Sequence, residues 1–94
     1  MGTKLEPGKF DCYANALPDE PMFVLLGRDA LAPSLVNIWA MIRAGNRKEA
    51  KLAFNELIVG PQASVYVLNP QPEKAQEAVD CAISMMLWRR ANRP

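Results

Sequence analysis

Residues 29–45, with the sequence DALAPSLVNIWAMIRAG, carry the pattern that decides the fold. Four large apolar side chains recur there at the i, i+3, i+4, i+7 spacing of one helix face: Leu35, Ile38, Trp39 and Ile42. Trp39 contributes the largest apolar surface of the segment, so we expect its face to form the floor of the core. The stretch therefore predicts a central amphipathic helix.

Signals for a helix start and a helix stop flank this face. Asp29 can accept hydrogen bonds from the free N–H groups of a first turn, and Pro33 falls within that turn, where a missing donor costs little. Gly45 suits the left-handed residue that closes a helix. Only Gly45 and Asn46 precede the next helical apolar stripe, and residues 46–49 have the form of a capping box. The members of this second stripe are Ala50, Ala53, Phe54, Leu57 and Ile58. So short a link predicts a tight helical hairpin.

Three other segments have shorter or less regular patterns. Residues 21–26 favour a short apolar helix, with a buried strand as the alternative, because so short a run has no clear period. Residues 10–17 fit either an extended segment or a helical turn. Residues 61–68 fit an extended link or a helical turn, and we expect Tyr66 and Leu68 to cover the core from there.

A last helix is predicted from about Pro72 to Ala91, and its apolar surface is wide. One apolar row contains Ala75, Ala78, Val79, Ala82, Ile83 and Met86. A second row contains Cys81, Met85 and Trp88. Because the combined stripe is wider than one neighbouring helix needs, we take the second row as a candidate protein interface, with core packing as the alternative.

These elements predict an all-α fold, a small single-domain bundle of about four helices with a tight central hairpin. A chain of 94 residues can bury one modest core. We expect residues 10–94 to form that helical domain and residues 1–9, which are polar and contain Gly and Pro, to form a flexible arm.

The composition argues against catalysis. The chain contains no histidine, which excludes histidine-dependent triads and most zinc sites. Its five glycines are scattered, so no phosphate-binding loop is present. Acidic residues such as Asp19 and Asp29 fit helix caps better than an acid–base pair. We therefore expect no catalytic residue, no cofactor and no metal site.

The two cysteines, Cys12 and Cys81, are too few for a disulfide scaffold, so we expect free thiols that pack as small apolar groups; whether either is reactive stays open. The first residues lack the apolar core of a signal peptide, and no apolar run approaches the length of a membrane span. We expect a cytoplasmic protein, in the host cell if a phage encodes it, with no membrane partner.

A basic cluster surrounds the predicted hairpin turn. It contains Arg43, Arg47, Lys48 and Lys51. These side chains could contact phosphates, but Glu49 interrupts them, no aromatic residue is interleaved, and the net charge is only +1. Nucleic-acid binding by residues 43–51 is therefore the alternative function rather than the main one.

The segment PDEPMFVLLGRDALAPSLVNIWA, residues 18–40, resembles a pattern in small proteins of bacteriophages and prophages. The matching positions are Pro18 to Pro21, Arg28-Asp29, Ala32-Pro33 and Trp39-Ala40. That family has no settled function, so the resemblance implies a genetic setting and no mechanism. By analogy, small proteins of that setting often bind host or phage proteins, and some inhibit host defence, as anti-CRISPR proteins do.

The sequence thus leads to the hypothesis of a non-catalytic helical protein that binds another protein. The identity of that partner stays open. A homodimer formed through the last helix is a further possibility. This hypothesis rests on two observations. The chain has more apolar side chains than one small core requires, and it lacks a catalytic or cofactor motif.

Overall fold

The computed structural model describes residues 2–92, apart from the side chains of Gln62 and residues 65–67. Within this range the chain forms five helices: α1 (Cys12–Asn15), α2 (Ala32–Arg43), α3 (Arg47–Val59), α4 (Pro61–Leu68) and α5 (Pro72–Asn92). The described residues include no strand. Since α1 is a single turn, four longer helices remain among the described residues, and the predicted all-α fold is confirmed.

Two compact units make up the chain, one formed by residues 24–74 and the other by the described residues on either side of them. In the first unit, α2 packs on α3 and α3 packs on α4. The predicted central hairpin is thus confirmed, and the packing of about four helices into one bundle stays a prediction. The assignment of residues 10–94 to a single domain stays a prediction.

The turn between α2 and α3 is closed by backbone hydrogen bonds. The Gly45 N–H donates to the Ile42 carbonyl at 3.0 Å and the Asn46 N–H to the Met41 carbonyl at 2.9 Å, the paired bonds of a Schellman motif. Gly45 is left-handed, with φ of 82°, as predicted. The Asn46 side chain accepts from the Glu49 N–H at 3.3 Å. Only half of the predicted capping box forms, because the Asn46 N–H is engaged with Met41.

The core of the hairpin lies between α2 and α3. Ile38, Ala50 and Leu57 are buried, and each is at most 9% exposed. Leu31, Met41 and Ala53 pack against them as partly buried neighbours. The buried face of α2 therefore passes through Ile38 and Met41, and Leu31 at the N-cap position continues it.

The prediction that Trp39 forms the floor of the core is wrong. Its side chain is 56% exposed, that of Ile42 is 57% exposed, and only Ile38 of the predicted face is buried. The residues of α3 in this core are Ala50, Ala53 and Leu57, and the residues of α2 that pack with them are Ile38 and Met41 instead of Trp39. The buried face is consequently rotated away from Trp39, toward Ser34 and Met41, which the sequence pattern did not count.

The start of α2 also differs from the prediction. Leu31 occupies the N-cap position without a side-chain hydrogen bond, and Pro33 lies in the first turn. The Asp29 carboxylate accepts from the Leu31 N–H at 2.9 Å, and the Asp29 carbonyl accepts from the Ala32 N–H at 3.1 Å. Asp29 therefore stabilises the turn before the helix, and its assignment as the helix cap is wrong.

Residues 21–26 contain neither a helix nor a strand, so the short apolar helix predicted there is wrong. So short a run gains too little from its own hydrogen bonds unless a side chain caps its first turn, as Asp11 does for α1. In the segment before it, the Leu17 N–H donates to the Glu20 carboxylate at 3.0 Å and the Glu20 N–H donates to the Leu17 carbonyl at 3.1 Å. These reciprocal bonds hold a turn in place of the expected helix start at Asp19.

The fourth helix is α4, for which the sequence left an extended link open. The Ser64 hydroxyl donates to the Gly60 carbonyl at 3.5 Å, next to the start of α4 at Pro61. Leu68 is 78% exposed, so the prediction that it covers the core is wrong. The same prediction for Tyr66 falls on a side chain outside the described part.

In the second unit, the N-terminal segment contacts α5. The Asp11 carboxylate accepts from the Tyr13 N–H at 3.1 Å and caps α1. Of the two structures predicted for residues 10–17, the helical turn is therefore the one that forms. The Cys81 thiol of α5 donates to the Met22 carbonyl, with 3.4 Å between sulfur and oxygen. One face of α5 is half-buried: Ala78, Cys81, Met85 and Trp88.

Candidate protein-binding groove on the hairpin

An apolar groove opens along one side of the α2–α3 hairpin. Ile42 of α2 and Phe54 of α3 form its walls, and the buried Ile38 and Ala50 form its floor. Its volume is about 330 Å³. Ile42 and Phe54 are 57% and 48% exposed, so the groove presents apolar surface to its surroundings. We call this the basic groove because of its remaining lining residues.

Those remaining residues are Arg47 and Lys51, which lie one helical turn apart on α3. Both side chains are exposed. The acidic residues of α3 lie elsewhere: Glu56 lines a second groove on the other side of the hairpin, together with Ser34 and Asn37. The hairpin is therefore asymmetric. The groove on one side is apolar and bordered by two cations, whereas the other groove has a mixed polar and apolar lining and is bordered by the Glu56 carboxylate.

Trp39 extends the apolar surface next to the basic groove. It follows Leu35 and precedes Ile42 on α2, at the i, i+4, i+7 spacing of one helix row, and all three are exposed. The Arg43 guanidinium carbon lies 5.5 Å from the centroid of the Trp39 ring, within the range of a cation–π contact. Indole and guanidinium groups are the types of side chain that contribute most at protein interfaces.

The four basic residues predicted as the alternative nucleic-acid contact lie around the hairpin turn, all exposed. Arg47 and Lys51 border the groove, and Arg43 contacts Trp39. Lys48 is not among the residues lining either groove. Three of the four basic residues thus lie beside apolar side chains, and the role of the cluster in nucleic-acid binding stays a prediction.

The predicted interface residues Cys81, Met85 and Trp88 do share one face of α5. That face is half-buried within the chain. The indole nitrogen Nε1 of Trp88 is buried and has no hydrogen-bond partner in the described structure. These side chains are thus partly covered already, and their part in an interface stays a prediction.

Both cysteines are free thiols, with Cys12 exposed and Cys81 half-buried. The expected packing therefore holds in part for Cys81 and is wrong for Cys12. No group of three or more metal-binding side chains occurs in the part of the chain that the structure describes. None of the described helices is long and apolar enough to cross a bilayer.

No protein-family model, no curated protein and no solved structure matches this chain.

The groove itself was not predicted, although its residues were all assigned to helices correctly. The sequence pattern placed Ile42 and Phe54 in the core as members of apolar stripes. The available signal was the pair of alanines at positions 50 and 53. Small residues at the contact bring the helices together and displace larger neighbours to the edge of the interface.

Proposed function

We propose that this chain is a non-catalytic protein that binds another protein, and that the basic groove of the hairpin is its binding surface. The observation that carries the proposal is the exposed apolar pair Ile42 and Phe54, bordered by Arg47 and Lys51. Concave apolar surface that is bordered by charge is typical of a site that recognises a partner.

The charge distribution favours an acidic partner segment. Arg47 and Lys51 can pair with carboxylates at the edge of a contact whose centre is apolar. Trp39 and Arg43 would enlarge the same contact on the α2 side. A helix with one apolar face and acidic flanks has the matching chemistry, since such helices commonly dock in grooves between two helices.

A more specific form of the proposal draws on the resemblance of residues 18–40 to phage and prophage proteins. In that form the chain is an accessory protein of a phage or mobile element, and its partner is a host or phage protein. Inhibition of a host-defence complex, as by an anti-CRISPR protein, is one activity that would fit such a partner. This more specific form adds a phage or mobile-element origin to the proposal, and the binding surface is the same basic groove.

The test is capture of partners from a bacterial host lysate by the immobilised protein, followed by mass spectrometry. The informative comparison is between the wild type, Phe54→Asp and Leu52→Asp. Leu52 is exposed on α3 but does not line the groove, so it is the matched control. We expect a partner that the wild type and Leu52→Asp retain and Phe54→Asp loses. A partner retained equally by all three would contradict the use of the groove.

The same preparation tests the nucleic-acid alternative. Arg47→Glu with Lys48→Glu reverses the charge at the turn while leaving Ile42 and Phe54 in place. Salt-sensitive binding of the wild type to random-sequence duplex DNA, lost in this variant, would support the alternative. If the proposal is right, duplex DNA shows no such binding, and nuclease treatment of the lysate does not change the captured protein.

A further inference from the structure

We infer that the outer face of α5 binds a second copy of this chain, with the two α5 helices antiparallel. This face is distinct from the basic groove, so the inference does not depend on the proposed function. Its apolar members are Val79, Ile83, Met86 and Leu87, and each is between 48% and 58% exposed. The spacing from Val79 is i+4, i+7 and i+8, which forms one helix face.

The two faces of α5 lie on opposite sides of the helix. At 100° per residue, the half-buried face through Cys81 and Met85 points away from the outer face centred on Ile83. One apolar face is thus occupied within its own unit, by the N-terminal segment that contacts Cys81. The other apolar face is left exposed over about two helical turns.

The outer face is complementary to itself when turned around. In an antiparallel pair with a twofold axis at Ile83, residues equally far before and after Ile83 face each other. Ile83 then meets its own copy, and Val79 meets Leu87. Gln76 faces Arg90 in the same arrangement. Each of these positions is exposed.

The charges of α5 favour the same antiparallel arrangement. Acidic side chains occupy the first half of the helix, at Glu73, Glu77 and Asp80, and Arg89 and Arg90 occupy the last turn. The Gln76 amide donates to the Asp80 carboxylate at 3.0 Å, so a polar acidic pair lies at the position that would face Arg90 of the copy. A parallel pair would place acid against acid. The helix dipoles also favour antiparallel neighbours.

Light scattering after size-exclusion chromatography tests self-association directly. We expect the wild-type mass to rise with concentration from that of one chain, 10.4 kDa, to twice that value. Ile83→Lys should weaken the dimer at least tenfold. Val59→Lys changes a side chain that is 84% exposed on α3 and should leave the dimer unchanged. A wild type that stays monomeric at all concentrations would overturn the inference, whatever the variants do.

Cross-linking tests the orientation of the two helices. Single cysteines are introduced into a Cys12→Ser, Cys81→Ala background and treated with a short thiol-specific cross-linker. We expect Ile83→Cys to cross-link with itself, and Val79→Cys to cross-link with Leu87→Cys in a mixture far more than with itself. In the antiparallel pair, two copies of residue 79 lie about 12 Å apart along the axis. Efficient cross-linking of Val79→Cys to itself would indicate a parallel pair and contradict the arrangement.

A dimer formed through the other apolar surface would also be recognised. If Phe54→Asp abolished the dimer and Ile83→Lys preserved it, the hairpin groove and not α5 would be the contact between copies. That result would overturn the present inference, whereas capture of a separate partner by the groove would still test the proposed function.

Discussion

The Arg43 guanidinium carbon lies 5.5 Å from the centroid of the Trp39 ring, and both residues project from the side of α2 that is not packed on α3. The largest side chain of the central helix is thus partnered by a cation of its own helix instead of being buried in the core. Because the indole is half-exposed and contacts an arginine, it adds apolar area to the protein surface and contributes little to the free energy of folding.

Neighbouring residues of α2 are therefore expected to differ in their effect on stability. Ile38→Ala should lower the free energy of unfolding by about 2–4 kcal/mol, because it removes buried methyl groups from the core. Trp39→Ala should lower it by about 1 kcal/mol or less, because the ring is 56% exposed. Urea unfolding followed by circular dichroism measures both. A larger loss for Trp39→Ala than for Ile38→Ala would contradict the assigned core.

The hairpin turn depends on the left-handed conformation of Gly45. Gly45→Ala should destabilise the protein by about 1–2 kcal/mol, although no atom lies within 4 Å of the added methyl group. Gly27 is the control, since its φ is not positive and its surroundings are equally open. Gly27→Ala should be neutral or stabilising by up to about 1 kcal/mol. Equal effects of the two substitutions in thermal unfolding would argue against strain at Gly45.

The first turn of α3 depends on the side chain of Asn46. Asn46→Ala removes the acceptor for the Glu49 N–H and should cost about 1 kcal/mol of stability. Asn46→Asp retains an acceptor at the same place and should stay within a few tenths of the wild type. Urea midpoints of the three proteins make the comparison. A loss with Asp as large as that with Ala would show that the side-chain bond is not the source of the effect.

Trp88 combines a half-buried ring with a buried Nε1–H that has no partner. Trp88→Phe keeps an aromatic ring and removes the unpaired donor, whose burial costs about 1–3 kcal/mol. We therefore expect Trp88→Phe to change stability by less than about 1 kcal/mol, and Trp88→Ala to be clearly more destabilising. If Phe and Ala were equally harmful in urea unfolding, the indole N–H would have to be forming a bond that stabilises α5.

Much of the fold followed from local chemistry. Gly45 and Asn46 placed the hairpin turn correctly because helix ends are set by backbone conformation and hydrogen bonds within a few residues. The periodicity of residues 72–91 likewise predicted α5, which runs Pro72–Asn92. Local signals were misleading for residues 21–26, where an apolar run after the predicted cap Asp19 gave no helix, because Leu17 and Glu20 close a turn there instead.

Which face of a helix is buried depends on the partner, and this is where sequence patterns were misleading. In α2 the row through Trp39 was chosen for the size of the indole, whereas Ile38 and Met41 are the side chains that pack with Ala50, Ala53 and Leu57 of α3. In α5 the row with Cys81 and Met85 was taken as a candidate interface, yet it is the half-buried row, whereas Val79 and Ile83 are exposed. The basic groove follows from the same rotation: its cations were recognised only as candidate nucleic-acid contacts, and its walls were assigned to the core.

The Schellman turn at Gly45 has a consequence for when the groove comes into existence. Its two walls, Ile42 and Phe54, belong to one uninterrupted stretch of chain, and contacts between positions so near in sequence form quickly because little loop entropy is lost. During synthesis, residues 32–59 emerge from the ribosome before α5 does, so the groove can assemble while α5 is still enclosed. A partner could therefore engage the nascent chain.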